Sequence, residues 1–123
     1  MTKPLSKNLI GATSEMMILY VLRQKDSYGY EISKIIFETS EGRINWKAGS
    51  LYPVLKKMET KGLIRSKWII AKNERARKYY TILPKGHKKI NEFREDLQLL
   101  LTVFERLLVK IEAKPTKVVG EIP

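Results

Sequence analysis

A mainly helical α+β fold, with one small hairpin set among four helices, is what the 123-residue sequence predicts. Three observations carry it. Apolar residues recur at helical spacing in four separate stretches, while two short runs dense in Ile, Trp, Tyr and Thr lie between the third and the fourth. At this length the chain can build one compact core, and it is too short for two independent ones.

Residues 1–8 are polar and basic with Pro4 and read as a flexible N-terminal arm. From Leu9 to Arg23 the stripe Ile10, Met17, Tyr20 and Val21, thickened by Met16, Ile18, Leu19 and Leu22, predicts a helix buried on most of its circumference. Lys25-Asp26-Ser27-Tyr28-Gly29 breaks the pattern. Ser27 can cap a second helix running to about Thr39, whose Tyr28, Ile32, Ile35 and Ile36 face inward. Ser40-Glu41-Gly42 ends it, and a connector with Ile44 and Trp46 leads to a third helix from about Ala48 to Lys61. There Leu51, Leu55 and Met58 form the core face, and Gly62 stands where a left-handed residue closes the helix. Pro53 is read as lying near enough to the helix start that its missing N–H costs nothing.

Leu63–Ile70 and Arg77–Ile82 are predicted as a two-stranded hairpin with the charged tip 71–76. From Pro84 the helical period returns. Ile90, Phe93, Leu97, Leu100, Phe104, Leu107 and Ile111 alternate spacings of three and four, the mark of a helix–helix seam, and Leu99, Leu101, Val103 and Leu108 widen it. Residues 112–123, with Pro115, Gly120 and Pro123, read as a flexible tail. This order of elements is that of a winged helix-turn-helix with a long C-terminal dimerisation helix. The division is an arm at 1–8, a winged-helix domain at 9–83, the dimerisation helix at 84–111 and a tail at 112–123.

Charge is distributed unevenly along the chain. The total is 24 Lys and Arg against 13 Asp and Glu, a formal charge of +11. Residues 43–89 alone hold 14 basic and 2 acidic residues, and the remainder is nearly neutral. A surface that binds polyanions gains affinity by releasing condensed counterions, which needs cations spread over one face. Double-stranded DNA is the partner this favours.

Four segments, Tyr28-Gly29-Tyr30-Glu31-Ile32, Gly49-Ser50-Leu51-Tyr52-Pro53-Val54-Leu55, Gly62-Leu63-Ile64 and Arg77-Lys78-Tyr79-Tyr80, resemble in order and separation the PadR family of transcriptional regulators. The resemblance covers about Ile10 to Gly86. The short C-terminal helix is similar to the small PadR-like subclass that includes the multidrug-responsive regulator LmrR. Nothing in the composition needs an oxidising compartment, so the cytoplasm is expected; the resemblance implies a homodimeric repressor, whose two-fold symmetry calls for a pseudo-palindromic operator. It further implies an interface built from the long and first helices, two wings flanking the DNA, and release by a small aromatic or drug-like ligand. The chain departs from the family pattern in three places. Leu83 replaces the Thr that would cap the last helix, the wing tip Asn73-Glu74-Arg75-Ala76 has no glycine, and Lys47 stands where a small cap is usual.

The candidate DNA-contacting residues are Lys47, Gly49, Ser50, Tyr52, Pro53, Lys56 and Lys57 on the third helix, and Lys72, Arg75, Arg77 and Lys78 on the wing. Ser50 and Tyr52 suit base edges, and the lysines suit phosphates. Tyr52 has an alternative place, packed under the hairpin. The candidate dimer interface is Met16, Tyr20, Ile90, Phe93, Leu97, Leu100, Phe104, Leu107 and Ile111; the candidate effector residues are Met16, Tyr20, Phe93, Leu97 and Leu100. Trp46, Trp68, Tyr79 and Tyr80 read as core filling rather than base-stacking platforms.

No enzyme is expected. Cysteine is absent, the one histidine, His87, has no ligand or triad companions, Glu92, Glu95 and Asp96 are surface positions, and no phosphate-cradling glycine loop occurs. No metal or cofactor is expected either. The longest apolar run, Met16 to Leu22, is too short to span a membrane, and the charge lies away from the apolar seam, which disfavours a membrane-surface helix. The rival function is a winged-helix adaptor whose long helix binds a protein partner.

Overall fold

The computed structural model describes residues 3–113. Along the chain run α1 (Lys7–Gln24), β1 (Ser27–Tyr28), α2 (Gly29–Thr39), α3 (Ala48–Thr60), β2 (Ile64–Ile69), β3 (Arg77–Ile82) and α4 (Pro84–Ala113). By its contacts the chain divides into Met1–Asn91, which holds the winged-helix core and the start of α4, and Glu92–Pro123. The tail beyond residue 113 lies outside the described residues.

α1 starts two residues before Leu9, where the Ser6 hydroxyl accepts from the Leu9 N–H at 3.5 Å. Leu5 N–H donates to the Arg43 carbonyl at 3.0 Å, so the segment leading into α1 is tied to the connector before α3. Within the expected α1 stripe Ile18, Leu19 and Leu22 are almost fully buried and Met16 and Val21 are buried too, whereas Tyr20 stays 36% exposed.

Ser27 does not cap α2. Its hydroxyl donates to the Lys25 carbonyl, and its backbone pairs with Tyr80 as part of β1; Tyr28 is the residue before the helix and provides no side-chain cap. The predicted hairpin is therefore a three-stranded antiparallel sheet in the order β1-β3-β2. A two-residue strand has no periodicity to read. It exists because β3 offers a free edge at Tyr79 and Tyr80.

α3 closes as expected. Gly62 adopts φ +76°, its N–H reaches the Glu59 carbonyl, and Leu63 N–H reaches Met58, both at 3.0 Å, a paired closure that satisfies two orphan carbonyls. Pro53 is a correction. It is the sixth residue of α3, beyond the first turn, so it has no N–H to give the Gly49 carbonyl four residues back. At the wing tip Asn73 takes φ +63°, the left-handed conformation that a glycine would otherwise supply.

Leu51, Leu55 and Met58 of α3 pack with Ile32, Leu63, Ile64 and Ile90 into a core in which each is at most 1% exposed. Trp46 and Tyr80 are buried in it, as read from their segments; Trp68 is not, at 64% exposed. Gly86 brings α4 against the Leu63 carbonyl so closely that a β-carbon there would sit 2.5 Å from that oxygen. The missing Thr cap does not delay α4, because the Leu83 carbonyl accepts from the N–H groups of Gly86 and His87.

Candidate nucleic-acid interface

α3 turns one face into the core and the other outward. Its core face is fixed by Leu51, Leu55 and Met58, which leaves Lys47, Gly49, Ser50, Tyr52, Pro53, Lys56 and Lys57 all on exposed positions. Gly49 has open space where a side chain would stand. At the helix start Lys47 makes no side-chain cap; its carbonyl accepts from the Ser50 and Leu51 N–H groups, and the Ala48 and Gly49 N–H groups have no helical partner.

Tyr52 has the place that joins helix to wing. Its ring lies on Gly29, where an added β-carbon would fall 2.5 Å from the phenol oxygen, and 46% of the residue remains exposed. Two clefts share Gly29 and Tyr52. One of ≈ 300 Å³ runs past Tyr30, Trp46 and Lys47; the other, of ≈ 400 Å³, runs between Tyr52 and the wing residues Trp68, Arg77 and Lys78. The structure thus joins Lys47, Tyr52, Arg77 and Lys78 along one surface. Gly49, Ser50, Pro53, Lys56, Lys57, Lys72 and Arg75 are exposed without lining either cleft.

The wing cations rest on rings. Arg77 places its guanidinium carbon 4.6 Å from the Tyr28 centroid, Tyr28 meets Tyr79 edge-on at 5.4 Å, and the Lys78 ammonium lies 5.9 Å from the Tyr80 centroid. A cation held over an aromatic face keeps its charge uncompensated. Burial, with the nearby Glu59 carboxylate and the Tyr52 phenol, pushes the Tyr80 phenol above its ordinary pKa, so it stays protonated. Of the two acids in residues 43–89, Glu59 accepts a hydrogen bond from Ser66, and Glu74 is exposed at the wing tip.

Not every cation of the basic half lies here. Lys61 and Lys89 bind the two carboxylate oxygens of Glu15 at 2.9 and 3.4 Å, and Lys85 donates to the Lys61 carbonyl at 2.8 Å. Burial of Glu15 opposes its ionisation, but the two lysines outweigh it and hold the carboxyl below its ordinary value. This cluster ties α1, the C-terminal end of α3 and the start of α4 together.

The candidate interface residues separate into two groups. Met16 at 6% and Ile90 at 0% exposure are buried within the protomer. Leu97, Leu100, Phe104, Leu107 and Ile111 are exposed by 40% or more, and Phe93 is half-buried. Tyr20, with Met17, Val21, Ile35 and Ile36, lines a cleft of ≈ 250 Å³ between α1 and α2. His87 is exposed, no group of His, Asp or Glu among the described residues could hold a metal ion, and no helix among them is long and apolar enough to cross a membrane. Sequence reasoning missed Gly29 as the seat of Tyr52 and Trp68 as a cleft residue. For Trp68 a signal existed, since period two places it on the face of Ser66, directly across from Lys78.

Residues 18–92 match the transcriptional regulator PadR-like family. A solved transcriptional regulator from Clostridium thermocellum is 31% identical with a TM-score of 0.73, over 81% of this chain and 97% of that one. A PadR-like transcriptional regulator from Bacillus cereus is 29% identical, also with a TM-score of 0.73, over 83% and 97%. The Escherichia coli transcriptional regulator YqjI is 28% identical over 85 residues; the match spans 69% of this chain and 39% of YqjI.

Proposed function

The chain belongs to the PadR-like family, whose members are DNA-binding transcriptional regulators and not enzymes, and from that premise we propose that it acts in the cytoplasm as a homodimeric repressor of the small PadR-like subclass. Each protomer lays α3 in a major groove of a pseudo-palindromic operator, with half-sites about 34–36 Å apart. The observation that carries this reading is the aromatic and cationic surface from Lys47 through Tyr52 to Arg77 and Lys78, lined by no carboxylate. Ser50 and Tyr52 read base edges. Lys47, Lys56 and Lys57 on the helix, and Lys72, Arg75, Arg77 and Lys78 on the wing, hold phosphates. Gly49 and Pro53 let the backbone approach.

The second copy covers the exposed seam of α4. A helix that leaves Leu100 at 50%, Phe104 at 61% and Ile111 at 71% exposed presents more apolar surface than a monomer in water ordinarily carries. Release of the DNA by a small planar aromatic ligand completes the proposal. The rival adaptor reading has the same seam bind a different protein, and it predicts a monomer in isolation.

Titration against duplexes carrying its own upstream promoter, with random duplex as competitor, tests the regulator. Lys56→Ala and Lys57→Ala should each weaken binding to every sequence and reduce the salt slope by about 1. A protein that bound promoter and random duplex equally at moderate salt would not be this regulator. Light scattering separates dimer from monomer, and a thermal-shift screen with planar drugs, followed by release of bound DNA, tests the ligand.

A further inference from the structure

Trp68, Ile69 and Ile70, consecutive at the end of the wing's outer strand, are 64%, 41% and 74% exposed. β2 is an edge strand, so nothing in the sheet covers its far side. The register pairs Ser66 with Tyr80 and Trp68 with Lys78, which puts Trp68 on the same face as the buried Tyr80, farther out along the wing. That face looks onto the cleft whose opposite wall is Tyr52. An indole on the core side of a sheet is ordinarily covered by its own protein. Here it forms the wall of an open groove, with Lys78 beside it on the same face, Arg77 at the edge with its guanidinium over Tyr28, and no acidic residue in the lining.

A groove with apolar walls and cations at its side fits an occupant that alternates apolar rings with anionic groups. One strand of duplex DNA does so, as deoxyribose and phosphate. The groove also continues the surface of α3 through their shared Tyr52. Resting on the regulator reading above, we propose that Trp68 is a DNA-contact residue. Its indole lies against a deoxyribose of the strand that runs between α3 and the wing, and Lys78, on the same face, holds an adjoining phosphate. The wing then contributes an apolar contact, insensitive to salt, next to its ionic ones.

Trp68 and Trp46 are the chain's two tryptophans, and Trp46 is buried. Acrylamide quenching of the full chain, with and without a mixed-sequence duplex at low salt, therefore reads Trp68, and Trp68→Phe supplies the blank. Adding duplex should shield the emission and shift it to the blue in the parent by more than in Trp68→Phe, whose emission comes from Trp46 in the cleft beside Lys47. Trp68→Ala should weaken binding about tenfold without altering the slope of log Kd against log salt, because an apolar contact releases no counterions. Circular dichroism melts of both variants show that they fold; should Trp68→Ala fail to, Trp68→Phe with intact affinity and Trp68→Lys with lowered affinity and unchanged fold carry the same test. The proposal is overturned if the parent binds duplex with Trp68 still open to acrylamide, if Trp68→Ala binds as the parent does, or if raising protein concentration alone shields Trp68, which would assign the face to a second copy. A parent that bound no duplex would overturn the regulator reading and this one with it.

Discussion

Replacing Gly86 by Ala adds one methyl group where α4 crosses the core. The new carbon would stand 2.5 Å from the Leu63 carbonyl oxygen, 2.8 Å from an Ile82 side-chain carbon and 3.1 Å from Leu19, against ordinary contact at 3.4 Å or more. About 0.9 Å of separation must be found. Leu63 has little freedom to give it. Its carbonyl accepts from Leu83 N–H at 3.0 Å, its own N–H closes α3, and its side chain is 1% exposed. Overpacking of this kind costs about 1–3 kcal/mol, and loss of the Leu83 hydrogen bond would add about 1 kcal/mol. Alanine's better helix propensity returns about 1 kcal/mol at most. The net is about 2 kcal/mol, a fall in melting temperature of roughly 10 °C for a domain of this size. Thermal and urea melts followed by circular dichroism measure it. Gly11→Ala is the control, since nothing lies within 4 Å of that position, and it should melt a few degrees above the parent. A Gly86→Ala protein that melted at or above the parent would refute the packing argument.

Gly29→Ala meets an equally close contact of 2.5 Å, but with the end of a half-exposed Tyr52 rather than with backbone. It should melt within about 1 kcal/mol of the parent while losing about tenfold in promoter affinity, as read by competition titration. Because Glu15 has its pKa lowered on folding, the stability it contributes is complete above its ordinary pKa and is lost as pH falls through the lower folded value. Urea melts from pH 6 to pH 3 should therefore decline less steeply for Glu15→Gln than for the parent below about pH 4.5. Phe104→Asp should convert a dimer to monomer in light scattering without loss of helix content, as the side chain is 61% exposed in the protomer.

Much of this architecture was legible because helices announce themselves locally. Gly62 after Met58, and the spacing of Leu51, Leu55 and Met58, fix where α3 ends and which face it buries, and the structure agrees on both. What the sequence could not show depends on partners distant along the chain. β1 is two residues that become a strand only beside Tyr79 and Tyr80, and Ser27, a good helix cap by type, is taken up by that pairing. The fate of Trp68 was hidden for the same reason, since composition assigns it to a core and the open edge of β2 leaves it outside. The basic half of the chain likewise divides in space. Lys61, Lys85 and Lys89 serve the fold around Glu15, and most of the others lie on the wing and the exposed positions of α3.

That division is sharpest within α3 itself. Its C-terminal end obeys every local rule: Gly62 turns left-handed, two orphan carbonyls are satisfied, and Lys61 is anchored by Glu15. Its N-terminal half breaks several in a few residues, with no side-chain cap, a glycine with open space around it, a large aromatic half in water, and a proline that leaves the Gly49 carbonyl without its helical donor. Each of these departures costs stability in isolation. A helix that follows the rules at one end and departs from them at the other is shaped at that end by something outside the fold, because packing alone would favour the regular choice at both. Of these departures Tyr52 lines both clefts, one of them with the wing cations, and Gly49 and Pro53 stand exposed beside it, where a polyanion would meet an open backbone and uncompensated positive charge together.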